Sequence, residues 1–370
     1  MKVLHFYRTY YPDSFGGIEQ VIRQMAVGTG RLGVENTVLT LSRQPHPAQL
    51  EFEGHQVYRC KLNFEIASTG FSLEAISQFR KLAQQADVIH YHFPWPFTDI
   101  VHFLTGVKKP SVLTYHSDIV RQKNLLKLYT PLKHKFLRDV TRIVATSPNY
   151  LATSPILERY KDKTEIITYG LDRQIYPQPE PGLLEQWRQR LGQGFFLFVG
   201  MLRYYKGLHI LLKAVAGTAI PVVIVGDGPE ERELKSLAEQ LKLQNVRFLG
   251  ALPEADKVAL LHLSFALAFP SHLRSEAFGI SLLEGAMFGK PMISSEIGTG
   301  TTYINVANQT GLVVPPNDPA ALRQAMLDLQ ADPQRASQMG LAAAQRYQDL
   351  FTAERMASNY QQLYQSILRT

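Results

Sequence analysis

The chain has 370 residues, 45% hydrophobic and 19% charged, with a formal net charge of +7 and a single cysteine, Cys60. That length predicts two domains with separate cores, and the composition excludes a disordered chain. A lone cysteine excludes an intramolecular disulfide, and no apolar run reaches the ~18–20 residues that span a bilayer.

The opening MKVLHFYRTYYPDSFGG lacks the apolar core of a secretory signal, so the expected location is cytoplasmic. Strand-like runs at residues 3–7, 37–41, 88–91, 112–115, 143–145 and 166–168 alternate with helix-like stretches at 18–29, 73–85 and 148–160. Gly16 and Gly17 follow the first strand and open the first helix. Glycines there make a tight turn, or let the backbone approach a phosphate at a helix N-terminus. His90 and His92 alternate on one strand and share a face; metal ligation would need a third ligand, and a lining or core role is the alternative. His116 lies just past a strand end, in Thr114-Tyr115-His116-Ser117-Asp118, where it is either structural or at the ligand site. Residues 121–142 carry Arg121, Lys123, Lys127, Lys133, Lys135, Arg138 and Arg142 against one acid, Asp139. Interleaved Leu125, Leu126, Leu128, Leu132, Phe136 and Leu137 suggest an amphipathic surface helix, interrupted at Pro131. Its basic face is either simply solvated or a patch for anionic lipid headgroups or a pyrophosphate-bearing acceptor. No aromatic-basic recognition motif accompanies it, so no nucleic acid is expected.

The segment YPQPEPG (176–182) reads as a linker. Beyond it the alternation repeats, with strands at 195–199, 222–225, 246–249, 265–269, 292–294 and 312–314, and helices at 207–216, 230–241, 254–261 and 280–288. Continuous apolar strands alternating with helices predict parallel sheets covered on both faces. The expected fold class is therefore α/β, with two Rossmann-like doubly wound domains facing a central cleft, where ligands bind beyond the carboxyl ends of the strands. The expected division is an N-terminal domain over 1–175, a linker over 176–194, a C-terminal domain over 195–350, and a final helix over 351–370 returning to the first domain.

Chemistry concentrates in the second half. Arg203 and Lys206, between a strand and a helix, suit a diphosphate, Arg as a two-pronged donor and Lys as a point charge. Gly226-Asp227-Gly228-Pro229 lacks a full dinucleotide fingerprint and reads as a structural turn. In Ser275-Glu276-Ala277-Phe278-Gly279-Ile280-Ser281-Leu282-Leu283-Glu284 two glutamates stand eight residues apart across a loop-to-helix junction. Fully helical spacing would separate them by ~12 Å, too far for the ~5 Å pair of a retaining glycosidase but suited to two ends of one elongated ligand. Phe278, Gly279 and Ile280 present backbone N–H groups between them, where a diphosphate would sit. No Asp-x-Asp occurs, so no metal and no cofactor is expected.

Together, GGIEQ, TYHSD, VGDGPE and SEAFGISLLE resemble, in order, glycosyltransferase family 4, a retaining group with the GT-B fold. The resemblance implies that Gly16 and Gly17 face the donor diphosphate, His116 lies near the transferred sugar, and Lys206 holds the diphosphate. It implies that Glu276 holds the sugar hydroxyls, that Phe278, Gly279 and Ile280 give backbone contacts, and that Glu284 binds the ribose. The family's Gly-Arg-Leu places arginine directly after the glycine; here that position is Met201, and Arg203 two residues on is the substitute. FYRTYYPDSFGGIEQVI, LRYYKG and RSEAFG look most like bacterial O-antigen mannosyl- and rhamnosyltransferases. The expected function is thus retaining transfer of mannose or D-rhamnose from a GDP-sugar to a glycan or polyprenyl-pyrophosphate-linked acceptor. Peripheral contact with an anionic membrane through residues 121–142 is expected with it. The alternatives are a UDP-sugar-dependent transferase and a sugar-nucleotide epimerase of the same architecture.

Overall fold

The computed structural model describes residues 1–66, 69–119 and 123–369, with the backbone alone for residues 123–126. The chain forms two compact units, Met1–Leu171 with Thr352–Thr370, and Asp172–Phe351.

The strands of the first unit are β1 (Lys2–Phe6), β2 (Glu35–Ser42), β3 (Gln49–Phe52), β4 (His55–Lys61), β5 (Phe64–Ile66), β6 (Thr69–Phe71), β7 (Val88–Phe93), β8 (Ser111–Tyr115), β9 (Arg142–Ala145) and β10 (Thr164–Ile166). Among the described residues, eight form one sheet in the order β10-β9-β8-β7-β1-β2-β4-β3, parallel except for the β3–β4 hairpin. β7 and β8 are buried at every position, as parallel strands covered on both faces must be. The strand order reverses between β1 and its neighbours β2 and β7, so the loop after β1, carrying Gly16, lies at a topological switch point.

The second unit holds β11 (Phe196–Val199), β12 (Val222–Val225), β13 (Val246–Phe248), β14 (Ala266–Phe269), β15 (Met292–Ser295) and β16 (Gly311–Val314), all parallel, in the order β13-β12-β11-β14-β15-β16. Phe196, Phe198, Ile224, Ala268 and Ile293 pack with Leu211, Leu212 and Met326 from the covering helices into one core. Here the switch point falls between β11 and β14. That brings the loop after β11 (Arg203, Lys206) beside the loop after β14 (Glu276).

Several sequence expectations need correction. Residues 176–194 are not a free linker but part of the second unit. Pro181 occupies the first turn of helix Pro181–Leu191, where a missing N–H costs nothing, and Trp187 Nε1 donates to Asp256 Oδ1 at 2.9 Å. The units meet in sequence at Leu171/Asp172 and Phe351/Thr352. Helix Ala353–Leu368 belongs to the first unit, entered through an Ala353 N–H to Leu171 carbonyl bond of 3.0 Å. Residues 148–160 form two helices, Pro148–Thr153 and Pro155–Arg159, because Pro155 holds Ser154 extended at ψ 115°. Pro131, expected to interrupt its helix, lies inside a continuous helix Lys123–Asp139. It sits on the exposed side, where solvent can satisfy the carbonyl its ring leaves unpaired.

Candidate active site

In the second unit, residues 204–206 make a single 3-10 turn closed by Gly207 at φ 72°. A Cβ on Gly207 would lie 2.0 Å from the Pro270 carbonyl oxygen, so only glycine lets the two switch-point loops touch. Lys206 Nζ reaches across that contact to Glu276 Oε2 at 2.5 Å, with the side chains 12% and 11% exposed. Ser271 Oγ donates to the same oxygen at 3.3 Å, and the ammonium lies 5.0 Å from the Phe269 ring centroid. Burial works against the Lys206 charge, but Glu276 and Tyr205 outweigh it and raise its pKa. Gly200 sits at φ 148°, a conformation that strains any residue with a Cβ, although a Cβ there would only touch Lys206 Nζ at an ordinary 3.8 Å.

Arg203 is exposed and folds back onto Met201, with Nε 2.9 Å from Sδ. The arginine is thus beside the Lys206–Glu276 pair without joining it. Gly226 and Gly228 behave as a structural turn, since Cβ atoms on them would collide with the backbone of Gly200 and Leu202. Gly279, at φ 99°, caps helix Ile280–Met287, whose first N–H groups have no carbonyl a turn behind them. Phe278 is buried beside it. One turn further, Glu284 is 3% exposed; its Oε1 accepts from Lys257 Nζ at 2.6 Å and Tyr176 Oη at 3.0 Å. Neither partner was singled out from sequence. Lys257 reads there as an ordinary i,i+3 partner of Glu254, which it also meets at 2.8 Å.

In the first unit, Gly16 is the N-cap of helix Gly17–Arg31, and the Glu19 carboxylate folds back over it, held by Ser14 Oγ at 2.7 Å. His116 is part of a buried hydrogen-bonded chain that crosses four strands. Its Nε2 is 2.9 Å from His92 Nδ1; His92 Nε2 is 3.2 Å from His5 Nδ1; His5 Nε2 is 3.1 Å from Asn36 Oδ1. His116 Nδ1 meets the Tyr169 hydroxyl. Asn36 Nδ2 donates to Ala26 O and Thr29 Oγ1, so its Oδ1 must accept. That fixes every ring in the chain as the Nε2–H tautomer, with Tyr169 donating to His116 Nδ1. Burial lowers the pKa of His116 to about 3 and of His5 to about 4, and lowers those of His90 and His92 well below the usual value.

His5, His90 and His92 bring ring nitrogens within 4.8 Å of one another, which supplies the third histidine missing from the sequence reading. His90, however, is bonded to Tyr364 Oη at 2.6 Å and Thr114 Oγ1 at 2.7 Å, and both nitrogens of His5 and His92 are in the chain. A metal would have to break several of these bonds, so the trio is a core network.

The basic stretch is thinner than its sequence. Arg121 and the side chain of Lys123 lie outside the described residues. Lys133 is buried, and burial lowers its pKa despite Asp118 and Asp99. Arg142 pairs with Glu165 at 3.6 Å. Lys127, Lys135 and Arg138 remain exposed, next to Leu128 at 81% exposure. Among the described residues, no helix is long and apolar enough to cross a membrane.

Comparison with known proteins matches residues 15–174 to "Glycosyltransferase Family 4" and residues 183–346 to "Glycosyl transferases group 1". A D-rhamnosyltransferase WbpZ of Pseudomonas aeruginosa is 63% identical over 353 residues, covering 95% of this chain and 93% of that protein. An O-antigen chain mannosyltransferase C of Escherichia coli is 48% identical over 370 residues, covering all of both. Among solved structures, a sucrose-phosphate synthase from Thermosynechococcus elongatus superposes with a TM-score of 0.82 at 21% identity, covering 100% of this chain and 99% of that one. Anabaena Alr3699/HepE in complex with UDP-glucose gives 0.78 at 19% identity, covering 99% and 100%. These two share the GT-B fold of paired Rossmann-like domains. With two family matches tiling most of its length and relatives this similar across nearly all of it, the chain belongs to glycosyltransferase family 4 and is a sugar-transferring enzyme.

Proposed function

We propose that this enzyme is a retaining hexosyltransferase that moves mannose or D-rhamnose from a GDP-sugar onto a glycan or polyprenyl-pyrophosphate-linked acceptor in O-antigen synthesis. The observation that carries it is the buried Lys206–Glu276 pair at the second switch point, with Glu284 eight residues further on in the helix that follows. This supplies a cation for a diphosphate and carboxylates for hydroxyls at its two ends. The two relatives named for rhamnosyl and mannosyl transfer support the sugar class.

In this reading, negative charge on the departing diphosphate is met by Lys206, by Arg203 swinging off Met201, and by the N–H groups at Phe278, Gly279 and Ile280, without a metal or cofactor. Glu276 trades its bond to Lys206 for the sugar hydroxyls. No carboxylate stands out as a nucleophile, so the acceptor hydroxyl attacks from the leaving-group face and gives its proton to the departing phosphate. Both His116 ring nitrogens are bonded, which makes it a neutral, fixed side chain. Exposed Lys127, Leu128, Lys135 and Arg138 bring the enzyme to an anionic membrane surface where a lipid-linked acceptor resides.

The test is nucleotide release and product structure with GDP-mannose, GDP-D-rhamnose and UDP-glucose, each with and without a mannose- or rhamnose-terminated acceptor. Acceptor-dependent GDP release with an α-linked product is expected. Release from UDP-glucose alone would replace the GDP reading, and donor interconversion without acceptor would replace transfer by epimerisation.

A further inference from the structure

A carboxylate at the end of a glutamate is hard to aim, because its last torsion is broad and roughly two-fold. Glu284 is aimed by two other segments of its own unit. Lys257 comes from helix Glu254–Leu263, with Nζ 2.6 Å from Oε1 and only 14% of the side chain exposed. Tyr176 precedes helix Pro181–Leu191 and donates to the same oxygen at 3.0 Å. The Lys257 ammonium also lies 5.3 Å from the Tyr176 ring centroid and 2.8 Å from Glu254, so three groups around Glu284 hold one another. Both bonds fall on Oε1, which leaves Oε2 uncommitted among the described residues. Burial opposes the charge on Lys257, yet Glu284 and Glu254 together raise its pKa, so the clamp stays cationic.

We propose that Lys257 and Tyr176 are positioning residues that lock Oε1 of Glu284, so that Oε2 faces the ribose hydroxyls of the donor nucleotide and recognition of the ribose depends on them. The proposal rests on the reading of Glu284 as the ribose contact. The alternative, a buried ion pair that only holds two helices together, predicts equal loss of every nucleotide.

The experiment measures dissociation constants of GDP and UDP and their 2′,3′-dideoxy counterparts for the full-length enzyme and for Lys257→Met, Lys257→Arg, Tyr176→Phe and Glu284→Gln. On the nucleotide that binds, the wild-type enzyme is expected to prefer the ribose form at least about tenfold, the range of one to two hydrogen bonds. Lys257→Met should reduce that preference to within about threefold by weakening the ribose form alone, with Tyr176→Phe intermediate and Lys257→Arg restoring most of it. Unchanged affinity for the dideoxy nucleotide shows that the pocket is folded. A preference in Lys257→Met equal to wild type overturns the positioning role and leaves the ribose reading standing. So does equal weakening of both forms, provided Glu284→Gln loses the preference. No preference in the wild-type enzyme, or no nucleotide binding at all, overturns the ribose reading and the proposal with it.

Discussion

Lys206 and Glu276 come from loops after two different strands, yet their charged atoms stand 2.5 Å apart in a largely buried setting. Removing one partner of such a pair strands the other charge and costs about 3–5 kcal/mol. Lys206→Ala should therefore lower stability by that order in urea denaturation and slow transfer by about 10²–10³-fold, the range for one lost electrostatic donor. The double variant Lys206→Met/Glu276→Gln should recover much of the stability and none of the activity. Near-normal transfer by either variant would remove Lys206 from the leaving-group site.

The histidine chain makes the first unit acid-sensitive. His5, His90, His92 and His116 are neutral when folded, and burial depresses their pKa values, to about 4 for His5 and about 3 for His116. The unfolded chain binds protons near pH 6.5 and the folded one does not, so stability is complete above that pH and falls as pH drops toward 4. His5 and His116 alone give a slope of about 2.7 kcal/mol per pH unit near pH 5, and His90 and His92 act in the same direction. The two tryptophans separate the units: Trp95 lies in the first and Trp187 in the second. Single-tryptophan variants should show the Trp95 transition collapsing between pH 6 and 5, ahead of the Trp187 transition. A Trp95 midpoint unchanged over that range would contradict the neutral chain.

Two glycines that each cap the start of a helix should respond differently. Gly207→Ala forces an unfavourable φ of 72° and places Cβ 2.0 Å from a backbone oxygen between the two site loops. It should lose more than about 1–3 kcal/mol together with most activity. Gly16→Ala has an ordinary φ of −84°, and its Cβ meets only the end of the flexible Glu19 side chain. It should change the melting temperature little. Equal losses in the two variants would show that the Gly207 contact is not limiting.

If the chain's own cations and N–H groups neutralise the diphosphate, chelating divalent ions should leave the transfer rate within about twofold. The check is initial rate in excess EDTA against added Mg²⁺ or Mn²⁺. A rate that vanishes with EDTA and returns with one of these ions would require a metal in the reaction.

Much of this was legible in the sequence, because buried parallel strands are plain apolar runs and glycine marks the turns that follow them. The switch-point residues Lys206 and Glu276 could be found because each lies a fixed distance past such a run. What stayed hidden depends on strand order. His5 and His90 are register partners in neighbouring β1 and β7, 85 positions apart, and nothing in either run announces the pairing. Tyr169, Tyr176 and Lys257 are ordinary residues of loop or helix until a partner from a distant segment meets them. Strands β3 to β6 were missed for a different reason: β3, β5 and β6 are short and largely unburied, and β4, HQVYRCK, buries His55 and Arg59 among its apolar positions, so none shows an apolar run. Lys133 misled in the opposite sense, since a basic run says nothing about which face turns inward.

Tyr360 and Tyr364, in the last helix, bond to Thr114 and His90 inside the first unit's sheet, and Ala357 packs against Gly28. During synthesis these partners leave the ribosome after all 180 residues of Asp172–Phe351. The half that begins the chain is thus the last to be completed, and its buried His90 waits for a tyrosine made 274 residues later. Trimming the final helix would therefore injure the amino-terminal sheet and spare the unit next to it in sequence.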